Sequence, residues 1–467
     1  MPDENSSNSL PRKAPCISYW QRTTRAFPHL FENQHTRVPP RTKYVIIGSG
    51  LSGALTAFEL LEAGIKGDDV VILEAREAAS GATSRNAGHV RPESNLEDAF
   101  RGFNAYAKVH GAEQALKIIE NERLVLEKVA EFVKKHDVQC DFNLTSTFDV
   151  CMTPEFAKYE SESFEAYERA GGETSQIKYY EGEEARAKTS VHAAVAAYEW
   201  PAGSCHPAKL VHFLLQSVIG RGAKLFTFCP ATAIQQHESE LGLWDVHTPR
   251  GTITTEKIIH CTNAHAALLL PQLEAYVTPN RAQAHSLIAN STFGGEKILD
   301  KTFSLRYSLY HFYSLIQRRG DGTLILGVSR SNPTLSSETL ASRFSTDDSH
   351  FNQEIAEDAL SSFGRIFPDY TSSQDAAHGE GLDHAWTGII AMTPDSVPFV
   401  GAIGSLPGQY ICAGFNGHGM ARIFTSAPGV AKIVLGDEWS ATGLPECFQF
   451  SRERLSRLAE GGLPSIW

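Results

Sequence analysis

Three glycines and one carboxylate carry the first chemical signal. Residues 44–76 read YVIIGSGLSGALTAFELLEAGIKGDDVVILEAR. Four apolar residues run into Gly48-x-Gly50-x-x-Gly53, with Leu51 and Ser52 between the last two glycines, and a mostly apolar helical pattern follows. A second apolar run, Val70 to Leu73, then ends on Glu74. Strand, glycines, helix, strand and terminal acid are in the order of a βαβ dinucleotide fingerprint. Gly48 permits the tight turn, Gly50 lets the backbone approach a pyrophosphate, and Gly53 lets the helix lie close to the strand. The phosphates belong at the helix N-terminus, where free N–H groups and the helix dipole favour anions. Glu74, followed by Ala75 and Arg76, is placed to accept hydrogen bonds from a ribose diol. The fingerprint alone admits NAD, NADP or FAD; Glu74 would repel a 2′-phosphate, and Arg76 pulls the other way.

Two further stretches bring backbone donors and small side chains together. The loop after Glu74, REAASGATSRNAGHVRPE, is dense in Gly, Ala, Ser and Asn. Residues 414–420, GFNGHGM, set three glycines between an apolar run and a helical pattern, which exposes N–H groups at a helix start. Tyr307, Tyr310, His311, Phe312 and Tyr313 form an aromatic run on an expected strand, where alternate members face opposite sides. One side of that run suits a pocket for an apolar or cationic molecule. No Ser/His/Asp order, HExxH or paired-carboxylate motif adds a competing chemistry. The eight cysteines (16, 140, 151, 205, 229, 261, 412 and 447) show no CxxC and no ligand-like spacing. They read as reduced, mostly buried thiols, Cys261 among them, with no metal site.

The elements that must position these groups alternate along the chain. Leu96 to about His136 is helical in pattern, STFDVCMT alternates like a strand, and a helix runs from about Pro154 to Ala170. AAVAAYEW is strand-like, HPAKLVHFLLQSVIGRGAKLF pairs a helix with a strand, and Thr232 to Thr255 is hairpin-like. Strand patterns dominate from about 277 to 330 and a helix follows around 350–367. The expected fold class is α+β with two interleaved domains: a Rossmann-like βαβ domain and a mixed-sheet substrate domain. The expected division gives the first domain residues 41–136, 197–275 and 384–440, and the second 137–196 and 276–383. Residues 1–15 read as a disordered tail, 16–40 as an aromatic-rich arm packed on the body, and 441–467 as a C-terminal extension.

Bulk properties exclude several functions. A chain of 467 residues, 42% hydrophobic, can bury a large core. No apolar run approaches the roughly 20 residues of a membrane helix. A net charge of −12 with well-mixed signs argues against a nucleic-acid surface. The N-terminus has no charged-then-apolar signal pattern, and with the cysteine usage this makes the cytoplasm the expected compartment.

The fingerprint, GATSRNAGH, the TNA at 262–264, RAQAH, WTGIIAMTPDSVPFVG and GFNGHGM occur in an order that resembles the D-amino-acid-oxidase superfamily of FAD enzymes. Within it the chain looks most like the gamma-glutamylputrescine oxidases, which also open with an SYW-like segment. The resemblance covers roughly residues 17–437. It implies that Gly48, Gly50 and Gly53 cradle the FAD pyrophosphate and Glu74 the adenosine ribose. Ala82, Thr83, Ser84, Arg85, Asn86, Ala87 and Gly88 match the loop beneath the flavin, and Thr262 and Asn263 match the strand end that closes on it. Gly388 belongs to the WTGII segment at the cofactor. Gly414, Phe415, Asn416, Gly417, His418, Gly419 and Met420 would lie at the pyrimidine edge of the isoalloxazine, where their N–H groups stabilise the negative charge of the reduced ring. Tyr310, His311, Tyr313, Trp386 and His418 are the candidate substrate-pocket residues.

Departures from the family pattern bear on substrate and attachment. Relatives of the glycine-oxidase type carry WxGxRPxT, whose Arg grips the substrate carboxylate; here that position is Ile390. Sarcosine-oxidase relatives place a Lys where this chain has Ala421. An apolar residue cannot replace the guanidinium fork, so an amine without an α-carboxylate is expected, with Arg91 or Arg281 as the residues that would overturn this. The attaching Cys and His of tethered relatives correspond to Gly388 and Asn86, so FAD is expected to be dissociable. The implied reaction moves a hydride from the carbon beside an amine nitrogen to flavin N5, with oxygen returning as hydrogen peroxide. A dehydrogenase using another acceptor, and a non-catalytic flavoprotein, share these motifs.

Overall fold

Val45, Ile46 and Ile47 are β-branched and buried, the pattern of a central strand covered on both faces. In the computed structural model, which describes residues 9–91, 102–328, 332–371 and 380–460, they lie in the strand Arg41–Ile47 inside an eight-stranded sheet. Its spatial order is Phe399–Ala402, Gln409–Ala413, Gly251–His260, Arg41–Ile47, Val70–Leu73 and Lys224–Phe226, with Ala233–Gln236 and Trp244–Thr248 forming an antiparallel arm on Gly251–His260. The run from Gln409–Ala413 to Lys224–Phe226 is parallel throughout. Parallel neighbours need a crossover, and the helix Leu51–Glu62 supplies it between Arg41–Ile47 and Val70–Leu73.

Strand alternation sorts the core. Tyr44, Ile46, Val70 and Ile72 point to the face packed by the helices Leu51–Glu62, Ala112–Lys135, Pro207–Gly220 and Gly419–Leu435. Val45, Ile47, Val71 and Leu73 point to the other face, against Phe226, Val246, Ile253 and Ile258.

A nine-stranded sheet stands beside the first. Its order is Gly381–Met392, Thr278–Ile288, Leu324–Val328, Phe312–Gln317, Thr302–Arg306, Asn143–Cys151, Ala196–Ser204 and His89–Val90, with Lys178–Glu181 paired to Ala196–Ser204. All its pairs are antiparallel except Thr302–Arg306 with Asn143–Cys151. Phe148, Val150, Phe303, Leu305, Tyr313 and Leu315 pack on one face against Ala359 and Phe363 of the helix Gln353–Ile366. The opposite face carries a transverse row of small residues, Gly388 opposite Ala282 and Ala284 opposite Gly327, which in turn opposes Ser314. Helices and mixed sheets together make an α+β fold.

Three expectations are corrected by this arrangement. The expected division places Ala196–Ser204 and Gly381–Met392 largely in the dinucleotide-binding segments, yet both pair in the second sheet, as does His89–Val90. A buried apolar strand pairs with whichever edge its register fits, and composition does not say which sheet that edge belongs to. The helical stretch before His136 is two helices, Phe103–His110 and Ala112–Lys135, divided at Gly111, whose φ is +83°; residues 96–101 of that expectation lie outside the described residues. Residues 9–15, expected as disordered tail, lie against the body: Ser9 Oγ is 3.1 Å from Thr346 Oγ1, and Leu10 and Pro11 line a cavity shared with Gly48 and Glu74. Residues 1–8 lie outside the described residues.

Burial of histidines gives the fold an acid limit. Burial lowers His206 to about 3 and His212, His260, His265 and His285 to about 4, against an ordinary 6.5. The unfolded chain therefore takes up protons below pH 6.5 that the folded chain refuses. Stability should be fully present above about pH 6.5 and fall as pH drops towards 4, by up to about 1.4 kcal/mol per pH unit for each histidine. Urea-unfolding midpoints measured from pH 8 to 4 check this; a flat profile over pH 6.5 to 5 would contradict it.

Candidate functional site

The glycine turn is built by close approach. Gly48 has φ +110°, and a Cβ there would stand 2.5 Å from the Cys261 carbonyl oxygen. A Cβ on Gly53 would stand 1.9 Å from the Gly48 carbonyl oxygen, so only glycine lets the helix start against the strand. Gly50 caps the helix Leu51–Glu62 without a side-chain acceptor, and the Leu51 amide donates to Thr83 Oγ1 at 2.9 Å. Glu74 ends its strand and accepts from Ser49 N at 3.1 Å, Ser49 Oγ at 2.7 Å and Arg76 N at 3.0 Å. A carboxylate offers about four lone-pair sites, so capacity remains for a ligand hydroxyl.

Arg76 and Arg85 are held rather than offered. Asp348 is 2% exposed, and Arg76 Nη1 donates to its Oδ2 at 2.9 Å and its Oδ1 at 3.0 Å. Arg85 Nε lies 3.6 Å from Asp348 Oδ2 and donates at 2.9 Å to the Ser80 carbonyl, while its Nη1 and Nη2 reach the carbonyls of Thr387 and Cys16. Burial lowers the Arg85 pKa from its ordinary value, and Asp348 opposes that shift. The loop 82–88 is braced from behind by the arm: Trp20 is fully buried and its Nε1 donates to the Asn86 carbonyl at 2.6 Å.

The second glycine turn is pinned by two asparagines. Asn263 Oδ1 accepts from Gly414 N at 3.1 Å and Phe415 N at 3.4 Å. Asn416, at φ +55°, accepts from Thr393 N at 2.7 Å and donates to the Gly414 carbonyl at 2.7 Å. The helix Gly419–Leu435 then starts at His418 with no side-chain cap, and Gly417, Gly419 and Met420 line the cavity at its start.

One cavity collects most of these groups. Of the expected cofactor residues, Gly48, Gly50, Leu51, Ser52, Glu74, Ala75, Arg76, Ala82, Thr83, Arg85, Asn86, Ala87, Thr262, Asn263, Gly388, Phe415, Gly417, Gly419 and Met420 line it. Gly53, Ser84, Gly88, Gly414, Asn416 and His418 do not. Gly53 packs on Gly48, the Ser84 carbonyl accepts from Ser18 Oγ, a Cβ on Gly88 would meet Trp20 and Ile316, and Gly414 and Asn416 shape the turn from within. His418 Nδ1 lies 3.0 Å from the Asn416 carbonyl and its Nε2 4.0 Å from Glu122, so it supports the turn from the helix side.

The substrate-pocket candidates are placed elsewhere. Tyr310 and His311 fall in the turn before Phe312–Gln317, with His311 stacked on Tyr307. Tyr313 faces the helix layer, where its hydroxyl donates to Asp358 Oδ2 at 2.6 Å and lies 2.9 Å from Ser362 Oγ. The strand begins only at Phe312, so Ser314 takes the cavity side and Tyr313 the other. Trp386 is fully buried one layer back, its Nε1 donating to the Arg85 carbonyl at 2.9 Å. The wall is instead Ala282, Gln283, Ala284, Ser314, Gly327, Val328, Ile389 and Ile390, with Asp348, His265, Pro230, Ala231, Leu268, Leu269, Leu10 and Pro11. Alternate small residues on Thr278–Ile288 were the available signal for Ala282 and Ala284. Cys261 on this wall is pushed up to about 12 by burial, a packed thiol.

The family profile described as FAD dependent oxidoreductase matches residues 43–435. The chain belongs to this family. Among similar proteins are the probable oxidoreductase OrdL of Haemophilus influenzae, 22% identical over 442 residues with 90% of each chain covered, and the gamma-glutamylputrescine oxidoreductase of Escherichia coli, 22% identical over 396 residues, covering 84% of this chain and 83% of the other. Among solved structures, L-proline dehydrogenase from P. horikoshii superposes with a TM-score of 0.67 at 21% identity, covering 91% of this chain and all of that one. Glycine oxidase from Geobacillus kaustophilus gives 0.68 at 18% identity, covering 89% and 99%. These likenesses establish the shared fold.

The residues present fit FAD. Two helix N-termini whose own N-cap residues supply no acceptor line one cavity, suited to a pyrophosphate at one and an electron-rich ring edge at the other. Glu74 stands on the wall with the first of them, and the tight Gly48–Gly53 contact brings backbone amides where a bulky side chain would bar a phosphate.

Proposed function

We propose that this FAD-dependent oxidoreductase oxidises the carbon beside the nitrogen of an amine lacking an α-carboxylate, with FAD bound non-covalently and oxygen as acceptor. One observation carries the substrate reading. Among the described residues, the only arginines on the cavity wall are Arg76 and Arg85, both engaged with buried Asp348, and there is no lysine. His265 on the same wall is lowered to about 4 by burial and is neutral at pH 7. Arg281 lies off the wall, its Nη1 and Nη2 directed to the Asp347 carbonyl and Ser342 Oγ, and Arg91 is off it as well. A carboxylate entering this cavity would lose hydration without gaining a guanidinium. The similarity to the gamma-glutamylputrescine oxidoreductase of E. coli supports an amine donor.

Bound FAD would supply a two-electron acceptor for the C–H bond beside nitrogen and pass the electrons to oxygen as hydrogen peroxide. The chain's part is positional: Ala282, Ala284, Gly327, Gly388 and Ser314 leave a smooth floor, and Ile390 presents an apolar contact to the substrate's carbon skeleton. The Rossmann-like region and the sheet carrying this floor are accordingly read as the FAD and substrate domains. For attachment, the cavity-wall thiols Cys261 and Cys412 are both raised by burial and lack thiolate character, which supports a dissociable cofactor.

Purified yellow protein should release peroxide with simple primary or secondary amines and turn over α-amino acids at least about tenfold less efficiently. A preference for α-amino acids would refute the substrate reading; flavin reduction without peroxide would instead favour the dehydrogenase. Trichloroacetic acid should leave all FAD in the supernatant, and yellow colour in the pellet would refute non-covalent binding. Ile390→Arg, which adds a fork at the cavity wall, should raise kcat/KM for α-amino acids by roughly 10- to 100-fold, the equivalent of one charged hydrogen-bond pair.

A further inference from the structure

The segment from Ser9 to Ile17 contributes Leu10 and Pro11 to the cavity wall and is anchored along its length. From the first sheet's side, His265 Nδ1 donates to the Ser9 carbonyl at 2.9 Å and Arg76 Nη1 lies 3.5 Å from the Arg12 carbonyl. From the segment preceding the helix Gln353–Ile366, Thr346 Oγ1 meets Ser9 Oγ at 3.1 Å, and the Asp348 carbonyl accepts from Cys16 N at 2.8 Å. Arg85 Nη2 closes the far end on the Cys16 carbonyl at 2.6 Å. The anchors at Ser9 and Arg12 bracket Leu10 and Pro11, the two residues of the segment that line the cavity. They share its wall with Glu74, Arg76 and His265, which is the ribose end, where Pro230 and Leu269 add apolar surface.

We propose that residues 9–17 are a latch over the adenosine half of FAD, with Leu10 and Pro11 in contact with the cofactor, and that FAD exchanges only when the latch lifts. The physical case is that most of these anchors are backbone carbonyls and an amide of the segment, held by residues outside the strands: Arg76, Arg85, His265 and the Asp348 carbonyl. The latch can therefore release as a unit without unfolding either sheet, while Leu10 and Pro11 offer apolar surface to a flat base. This rests on FAD occupying the cavity, which the unaltered protein tests first: absence of bound flavin there would defeat that reading before the latch is addressed.

With the holoenzyme in hand, FAD release is followed as regained flavin fluorescence on dilution. The double variant Leu10→Ser/Pro11→Gly and a chain lacking residues 2–11 should each release FAD about tenfold faster or more, with unchanged far-UV circular dichroism. In the unaltered protein, hydrogen exchange across residues 10–17 should slow by about tenfold or more when FAD is added to apoprotein. Release rates equal to the parent in folded variants would overturn the latch. So would exchange of residues 10–17 that is indifferent to FAD, a measurement that stands even if both variants misfold.

Discussion

Asp348→Ala should destabilise the folded chain by about 3–5 kcal/mol, the cost of leaving a buried charge without its partner. Asp348 is 2% exposed and faces two guanidiniums that are themselves buried, Arg76 and Arg85. Arg76 follows the strand Val70–Leu73 of the first sheet, Arg85 belongs to the loop against the second, and Asp348 precedes the helix packed on the second. Its removal strands like charges at the junction of the two layers. Asp348→Asn keeps the shape and an acceptor oxygen, so it should cost less than Ala but still leave the positive charges uncompensated. The apolar replacement Arg76→Met in the Asp348→Ala background should recover part of the loss, because it deletes one of the stranded cations. Denaturant unfolding of the four proteins measures this. A shift under 1 kcal/mol for Asp348→Ala would mean that water screens the site despite its burial.

What the sequence disclosed was whatever steric necessity writes into residue type. Gly48 and Gly53 were legible because the turn tolerates no Cβ there, and Glu74 because a strand end fixes where its carboxylate points. Asn263 was legible as a residue near the cavity and Asn416 as part of the second glycine turn, but not their task of pinning that turn, since that depends on partners at Gly414, Phe415 and Thr393. The aromatic run at 307–313 failed for a different reason. A period of two gives the faces of a strand only when its first residue is known, and the turn at Ser308–His311 sets that phase. Asp348 and residues 9–15 left no local mark. One of two adjacent aspartates beside serines and a short proline-containing N-terminal stretch look like surface, and their partners lie across the fold at Arg76, Arg85 and His265.

Gly53→Ala separates a helix residue from a cofactor cradle by the sign of its effect. In an ordinary helix interior, replacing Gly by Ala stabilises by up to about 1 kcal/mol. At Gly53 the new methyl would stand 1.9 Å from the Gly48 carbonyl oxygen and 3.2 Å from Ile46 Cγ2, and backbone cannot rotate away as a side chain would. The helix Leu51–Glu62 must therefore back off from the strand, and the first-turn amides move with it. Overpacking of this kind costs about 1–3 kcal/mol, and where the displaced groups are those that bind phosphate the cost falls on FAD affinity. At about 1.4 kcal/mol per tenfold, the FAD dissociation constant should rise roughly 10- to 100-fold, and the protein should purify partly colourless. Gly220 is the control: it closes the helix Pro207–Gly220 and a Cβ there meets nothing within 4 Å, so Gly220→Ala should leave FAD binding unchanged. If Gly53→Ala binds FAD as tightly as the parent, the helix does not depend on that contact for its position, and the amides that hold the cofactor must come from elsewhere on the wall.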